Sequence, residues 1–174
     1  GQVIKVFDQV YHRPAMDPAA QERIRFDHRW LISKRPIVMT GGELTLETLD
    51  LIYDDTSKYY EAPFQMKANG GIFMVDDFGR QRVSPRDLLN RWIVPLEKRV
   101  DYLTLHTGKK IEIPFDVLIV FSTNLDPADL VDEAFLRRIR YKIGIVSPTV
   151  DQYEEIFKRL CARKSIEYKA EAIS

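Results

Sequence analysis

The chain has 174 residues, of which 45% are hydrophobic and 30% charged, a mixture typical of a globular domain with its own core. Lys plus Arg and Asp plus Glu both total 26, so the net charge is zero, and nucleic acid or an anionic membrane is not indicated as a partner. The longest apolar runs are far shorter than the roughly 20 residues that span a bilayer, which excludes a predicted membrane span. The single cysteine, Cys161, excludes an internal disulfide and fits a reducing cytoplasm, the predicted location.

The first 69 residues carry weak signals. We predict a strand at 3–7, a short helix near 19–26, and a short buried strand at 37–40 that ends at Gly41-Gly42. The segment 43–69 fits neither the helical nor the strand period. Because the chain opens directly on a strand and stops soon after a helix, we expect it to be a fragment of a longer protein.

The pattern sharpens after residue 70. A strand at 72–75 ends in Asp76-Asp77, and a helix at about 84–99 begins with Ser84 as N-cap and Pro85 in its first turn. Pro95 is expected to kink this helix. The segments 102–106 and 111–115 alternate in polarity around a Gly-containing turn, which predicts a β-hairpin.

The last third predicts a strand at 117–121, a helix at about 132–139 and a strand at 141–146. Thr149 and Gln152 have capping-box spacing and begin an amphipathic helix that runs to about 163. Fully apolar strands that alternate with helices indicate an α/β fold, with a parallel sheet covered on both faces.

Polar side chains follow two of the apolar strands. In open α/β sheets, ligands bind beyond the carboxyl ends of the strands, where Asp76, Asp77 and Asn124 are expected. An acid in that position can hold Mg²⁺, and a second acid can orient an attacking water. The alternative is that the two aspartates cap a turn and that Asn124 is an ordinary turn residue.

A basic cluster follows near the end of a predicted helix, at Arg137, Arg138 and Arg140. These arginines are either solvated charges that interact favourably with the helix C-terminus, or they include one that reaches a neighbouring subunit to stabilise phosphoryl transfer.

The order of these motifs, over 70–148, resembles the second half of the AAA+ ATPase core. The run Gly71–Asp77 is similar to the Walker B strand, Phe121–Asn124 to the sensor-1 strand, and Asp132–Ile139 to the arginine-finger helix. The resemblance implies a partial AAA+ core over 1–147 and the beginning of a helical lid domain over 148–174. It also implies an ATP hydrolase with ATP and Mg²⁺ as cofactors, which remodels a protein partner as a homo-oligomeric ring.

The resemblance implies roles for the candidate residues. Asp76 would hold Mg²⁺, Asp77 would polarise the attacking water, and Asn124 would act as sensor 1. Arg138 is the preferred arginine finger, with Arg137 second and Arg140 third. The family usually has Glu where this chain has Asp77, and the shorter side chain implies slow or switch-like hydrolysis.

Two further segments are compared with this family. The hairpin before the sensor strand is similar to hairpins that face the ring pore in enhancer-binding activators and related ATPases. The aromatic segment 59–64 lies where a substrate-facing loop would fall, although its side chains fit a core equally well.

One essential motif of the family is missing. A phosphate-binding loop needs the pattern G-x-x-x-x-G-K-[ST], and the only Gly-Lys pair, Gly108-Lys109, has Leu103 and Lys110 where Gly and Ser or Thr are required. We therefore expect the isolated chain to bind ATP poorly and to show no turnover. The sheet would also lack a central strand, which leaves an unpaired edge.

Other functions were weighed against this one. A nucleotide-independent protein-interaction domain on a degenerate AAA+ shell is the main alternative. A two-metal nuclease at Asp76-Asp77 is disfavoured, because adjacent strand residues point to opposite faces. The three histidines have no metal-ligand spacing. We predict Trp30, Trp92 and Cys161 to be packed side chains.

Overall fold

The computed structural model describes residues 3–17, 20, 27, 29–130 and 133–169. The chain consists of two compact units, Gly1–Arg140 and Tyr141–Ser174. Their assignment as a core and a lid, with the boundary at 147/148, stays a prediction. Across the residues described, no helix has both the length and the apolar character needed to cross a membrane.

The elements follow one another along the chain in an α/β order. The strands are β1 (Ile4–Lys5), β2 (Ile37–Thr40), β3 (Ile52–Asp54), β4 (Tyr59–Glu61), β5 (Ile72–Val75), β6 (Val100–Thr104), β7 (Lys110–Pro114) and β8 (Leu118–Phe121). The helices are Phe64–Lys67, Pro85–Lys98, Pro127–Leu130, Glu133–Leu136 and Val150–Lys164, and a 3-10 turn lies at Glu47–Leu49.

The central sheet has three parallel strands in the order β2-β5-β8. The strands are apolar and in matched register, with Val38 opposite Phe73 and Phe73 opposite Ile119. This face of the sheet packs against Trp92, whose ring centroid lies 5.4 Å from that of Phe73 and 6.2 Å from that of Phe121. The strand pairings confirm that the sheet is parallel, and these contacts confirm that Trp92 belongs to the core.

The opposite face of the same sheet is more open. Ile37, Met39 and Leu118 are each more than half exposed. Strand β2 is therefore buried on one side only, and its predicted full burial is wrong. Within the part of the chain that the structure describes, no second layer buries these three side chains.

The helix Pro85–Lys98 matches its prediction closely. Ser84 Oγ accepts a hydrogen bond from the backbone N–H of Asp87 at 3.1 Å, which satisfies one of the free donors of the first turn. Pro95 lies inside the helix, which continues past it to Lys98. Arg99 ends the helix in the left-handed conformation, with φ of 58°.

The predicted hairpin is present as the antiparallel pair β6–β7, two residues earlier than expected in its first strand. Its buried Asp101 ties it to the core, because Arg91 donates to both carboxylate oxygens, at 2.6 and 3.0 Å. Gln65 adds a third hydrogen bond to Asp101 at 3.1 Å. A buried carboxylate needs such partners, so this cluster fixes the hairpin against the helix Pro85–Lys98.

A small sheet in the order β1-β4-β3 brings the N-terminal segment against the rest of the unit. The Lys67 cluster holds it there: Lys67 Nζ lies 2.9 Å from Asp8 Oδ2 and 2.5 Å from Glu61 Oε1. Within β4, Tyr60 is buried, which supports the core interpretation for that member of the aromatic segment.

Among its described residues, 141–169, the second unit contains one regular element, the helix Val150–Lys164. Thr149 and Gln152 form the predicted capping box, and both of its hydrogen bonds are present. Cys161 is buried, as predicted. The Tyr168 hydroxyl donates to Glu154 at 2.8 Å, which folds the following segment back onto the helix.

Three further predictions differ from the structure. The segment 141–146 has no regular structure, although its residues alternate like a strand, because a lone strand cannot satisfy its own backbone. Of the helix expected at 132–139, the described residues form only the short helix Glu133–Leu136, and a separate short helix lies before it at Pro127–Leu130. Trp30 is 71% exposed and not in the core. The helix expected near 19–26 lies outside the described residues, apart from Ala20.

Candidate functional site

The candidate site is the edge of the central sheet where the three parallel strands end. Asp76 follows β5, and its N–H donates to the carbonyl of Thr40 at the end of β2, at 2.8 Å. Ser122 follows β8, and its N–H donates to the carbonyl of Val75 at 3.0 Å. Asp76 therefore leaves the sheet between the ends of its two neighbouring strands, as the sequence predicts.

Side chains join the turn after β5 to the turn after β8. The Ser122 hydroxyl donates a short hydrogen bond to Asp76 Oδ1. The Thr123 hydroxyl donates to the carbonyl of Phe78 at 2.8 Å, and the Phe78 N–H donates to the carbonyl of Ser122 at 2.7 Å. Because bonds run in both directions, the two turns form one connected structure.

A buried aromatic side chain holds this connected structure to the core. Phe78 is buried, and its ring centroid lies 4.7 Å from that of Phe121, the last residue of β8. Asp76 and Asp77, immediately before it, are exposed. The turn therefore presents two carboxylates to solvent from a backbone that is fixed underneath.

Asp77 has an uncommon backbone conformation. Its φ is 50°, in the left-handed region, which Asp and Asn tolerate better than longer side chains do. Gly79, two residues on, has φ of 104°, and a Cβ there would lie 2.5 Å from Leu130 Cδ2. This left-handed backbone conformation is a physical reason for the presence of Asp at position 77, where the family that the sequence resembles usually has Glu.

Asn124, the third candidate at this edge, is exposed in the turn that follows β8. The preceding residue, Thr123, fixes that turn, because its hydroxyl oxygen also accepts from the N–H of Leu125 at 3.1 Å. The structure therefore places Asn124 next to the residues that bond the turn of Asp76, on the same edge of the sheet.

Two of the three candidate arginines, Arg137 and Arg138, form ion pairs. Arg138 Nε and Nη2 lie 2.7 and 2.6 Å from Glu97 Oε1, on the helix Pro85–Lys98. Arg137 pairs with Glu133 at 2.9 Å, one helical turn away, and Arg140 is exposed. Arg138, the preferred candidate, is the less exposed member of the adjacent pair.

The donor set at Asp76 fits Mg²⁺ better than a transition metal. Mg²⁺ is commonly bound through one or two carboxylates, keeps several waters and takes its remaining ligands from phosphates. The side chains next to Asp76 at this edge, Ser122 and Asp77, also offer oxygen. Within the described residues no group of three His, Cys, Asp or Glu side chains could enclose a metal.

Sequence reasoning missed three polar residues of this site. Ser122 and Thr123 were recognised only as neighbours of Asn124, although both bond the turn after β5. Gln81 was not singled out, although its side chain makes three hydrogen bonds to that turn. Hydroxyl and amide residues beside a strand-end acid are a usable signal, but many ordinary turns contain them.

Comparison with known proteins supports the fold. No family model matches the sequence, and no curated protein matches it. The chain is similar to the crystal structure of NtrX from Brucella abortus, with a TM-score of 0.51 and 18% identity over 79% of this chain and 34% of that one. A second NtrX structure, in complex with ADP, aligns with a TM-score of 0.48 and 19% identity over 79% of this chain and 33% of that one.

The chain is also similar to the complex between subunits BchI and BchD of magnesium chelatase. The TM-score is 0.54 with 19% identity, over 82% of this chain and 44% of that one. NtrX and the chelatase subunits are AAA+ proteins, and this chain shares the α/β fold of the part of each that it matches. It spans about a third of the NtrX chain and less than half of the chelatase chain.

Proposed function

We propose that this chain is part of an AAA+ ATPase that couples ATP binding and hydrolysis to the remodelling of a protein partner. One observation carries the proposal: Asp76 leaves the carboxyl end of a central parallel strand, and Ser122, which directly follows the neighbouring strand β8, bonds its carboxylate. Ligands of open parallel sheets bind at this edge.

The roles at the sheet edge follow from the chemistry of each side chain. Asp76 holds Mg²⁺, directly or through water, with its carboxylate oriented by Ser122. Mg²⁺ held there would supply positive charge to the phosphates. Asp77 orients the attacking water, and Asn124 hydrogen-bonds that water and a phosphate oxygen, because an amide both donates and accepts.

An arginine from one subunit completes the site of its neighbour in this proposal. Arg138 is the preferred finger, Arg137 the second choice and Arg140 the third. A guanidinium stabilises the charge that spreads over the transferred phosphoryl group. This role requires a homo-oligomer, for which we propose a ring, in the cytoplasm.

The 174-residue chain by itself is proposed to be inactive. It has no G-x-x-x-x-G-K-[ST] motif, whose backbone N–H groups and Lys bind the phosphates. Most of the catalysis in this class is electrostatic stabilisation of those phosphates. Activity is therefore expected only when a segment that supplies the motif accompanies this chain.

The experiment measures Mg²⁺-dependent ATP hydrolysis by the full-length protein that contains this chain. We expect Asp76→Ala and Arg138→Ala each to lower kcat about 100-fold or more, since each removes a group that acts on the transferring phosphate. Mixing the two inactive variants should restore part of the activity, because a mixed interface can join an intact acid site to an intact arginine.

Matched controls separate these roles from general damage. Asp116→Ala removes an exposed acid from the opposite end of β8, and Arg86→Ala removes an exposed arginine from the helix Pro85–Lys98. Both should keep wild-type kcat. Hydrolysis that survives Asp76→Ala would overturn the proposal, and loss that mixing never relieves would argue against a finger supplied by a neighbouring subunit.

A nucleotide-independent interaction domain is the second candidate, and the missing phosphate-binding motif favours it. In that case the full-length protein would bind its protein partner with the same affinity with and without ATP. It would also show no Mg²⁺-dependent turnover while remaining folded.

A further inference from the structure

The turn after β5 is organised by a side chain that follows it. Gln81 Oε1 accepts a hydrogen bond from the N–H of Gly79 at 2.8 Å. Gln81 Nε2 donates to the carbonyl of Asp76 at 2.8 Å and to the carbonyl of Asp77 at 3.1 Å. One amide therefore bonds three of the four residues of the turn that carries both candidate acids.

The chemistry of the amide fits this pattern in a way that other side chains do not. A glutamine amide has an acceptor oxygen and two N–H donors, and here both donors and the oxygen have backbone partners. A glutamate of the same length can accept from Gly79 but, when ionised, cannot donate to the two carbonyls. An alanine at position 81 removes all three bonds.

These hydrogen bonds constrain Asp77, the residue of the turn whose backbone conformation is energetically unfavourable. Asp77 has φ of 50°, a conformation that non-glycine residues rarely adopt, and its carbonyl is one of the two that Gln81 binds. The N–H of Arg80 donates to the same carbonyl at 3.0 Å. Fixing this peptide group fixes the direction in which the Asp77 side chain leaves the backbone.

We propose that Gln81 is a positioning residue that holds the backbone of Asp76 and Asp77, so that the Asp77 carboxylate stays directed at the attacking water. The assignment rests on the proposed function, because it takes the two acids to be the hydrolytic pair. Gln81 acts through the backbone of the acids and takes no part in proton transfer. Outer residues of this kind change activity about 10- to 100-fold when removed from metal sites.

The first test uses the 174-residue chain without nucleotide and measures hydrogen exchange at the Gly79 amide. Gln81→Ala should lower its protection about 10-fold or more, because the acceptor is removed. Gln81→Glu should keep the protection at neutral pH, because a carboxylate still accepts from Gly79. Unchanged protection in Gln81→Ala would overturn the geometric basis of the assignment.

The second test measures kcat and KM for ATP in the full-length protein over a range of pH. Gln81→Ala should lower kcat about 10-fold at every pH with little change in KM. Gln81→Glu should be impaired at neutral pH and should recover relative to wild type as the pH falls, because the protonated acid regains a donor for one carbonyl. A side chain that only stabilised the loop would change the free energy of unfolding and would leave kcat of the folded protein unchanged at every pH.

A nearby control and a separate outcome complete the design. Arg82→Ala changes an exposed side chain whose backbone N–H, bonded to the carbonyl of Gly42 at 3.3 Å, is retained, and it should keep wild-type kcat. If hydrolysis depends on Asp76 while both Gln81 variants keep wild-type kcat, the positioning role fails and the proposed function stands. If hydrolysis does not depend on Asp76, the proposed function fails and this assignment fails with it.

Discussion

Two charged regions of the first unit are built in opposite ways. In the Lys67 cluster, the side chain of Lys67 is 7% exposed and binds Asp8 and Glu61 at 2.9 and 2.5 Å. In the arginine segment, residues 137–140, the side chain of Arg137 is 74% exposed and pairs with an equally exposed Glu133. The distances are similar, and the surroundings differ.

This difference in burial indicates which ion pairs contribute to the stability of the fold. A buried cation that loses its partners, or buried acids that lose their cation, leave an uncompensated charge in a poorly hydrated place. An exposed pair is screened by water and contributes little. The arginine segment can therefore give up its ion pairs to another molecule at small cost, as a finger must, whereas Lys67 cannot.

The largest expected effect in this comparison is that of Lys67→Met. It keeps the length and apolar stem of the side chain but removes the cation that Asp8 and Glu61 share, and Glu61 keeps only its longer ion pair with Lys5, at 3.6 Å. Both acids are partly hydrated, so we expect a loss of about 2 kcal/mol in the free energy of unfolding, measured by urea denaturation. The matched control is Lys58→Met, whose exposed pair with Asp55 should be worth less than about 0.5 kcal/mol. Equal effects of the two substitutions would remove the distinction between the regions.

The pH dependence of stability sharpens the same contrast. Burial, the largest single influence, raises the pKa of Asp8. The hydrogen bonds from Lys67 and from the Val10 backbone, with the positive charges of Lys67 and His12, together outweigh burial and leave the pKa lowered from its ordinary value of 3.8. A lowered pKa means that the folded state binds the proton less readily than the unfolded state. The stabilisation is therefore complete above pH 3.8 and is lost as the pH falls through the lower folded value.

We expect Asp8→Asn to remove this acid-sensitive contribution, on the order of 1 kcal/mol. The measurement is the free energy of unfolding of wild type and variant between about pH 6 and pH 2, where the difference should shrink towards zero at the acid end. A difference that stays constant over this range would show that the Asp8 carboxylate is not stabilised by Lys67.

Lys67 has the complementary behaviour at the alkaline end. Burial lowers the pKa of Lys67, but its hydrogen bonds to Glu61 and Asp8 outweigh burial, so the pKa is raised from 10.5. Its stabilisation is complete below pH 10.5 and is lost as the pH rises through the higher folded value.

The smallest expected effect is that of Glu97→Gln, which removes the ion pair of Arg138. The Glu97 side chain is 47% exposed, so the free energy of unfolding should change by less than about 1 kcal/mol. Thermal unfolding of wild type and variant checks this. A loss above about 2 kcal/mol would make Arg138 a structural residue and would move the proposed finger to Arg137.

The sequence pattern was sufficient to predict an element where the interactions that form the element lie within one short segment. The strand that ends at Asp76 and the helix begun by Ser84 and Pro85 are both present, because burial of an apolar run and the cap of a first turn are local properties. The order of these motifs was also enough to indicate the AAA+ fold. The roles of Asp76, Asp77, Asn124 and the arginines remain proposals.

Prediction from the sequence pattern failed where the structure of a segment depends on contacts with residues outside that segment. The segment 141–146 alternates like a strand but has no strand structure, since a strand exists only when another pairs with it. Trp30 looks like a core residue by type and is exposed, because burial depends on what packs against a side chain. No property of residue 81 in the sequence indicates that its amide reaches three backbone groups of the turn before it.

The sequence by itself determined the α/β class, the positions of the two strand-end motifs, the capped helices and the absence of a phosphate-binding motif. Only the tertiary structure decided that Ser122 bonds Asp76, that Asp77 is left-handed, that Gln81 binds the turn, and that Lys67 is buried while Arg137 is not. The reason is physical: periodicity and caps act within a few residues, whereas hydrogen bonds between separate turns and the burial of a charge exist only after the chain has folded.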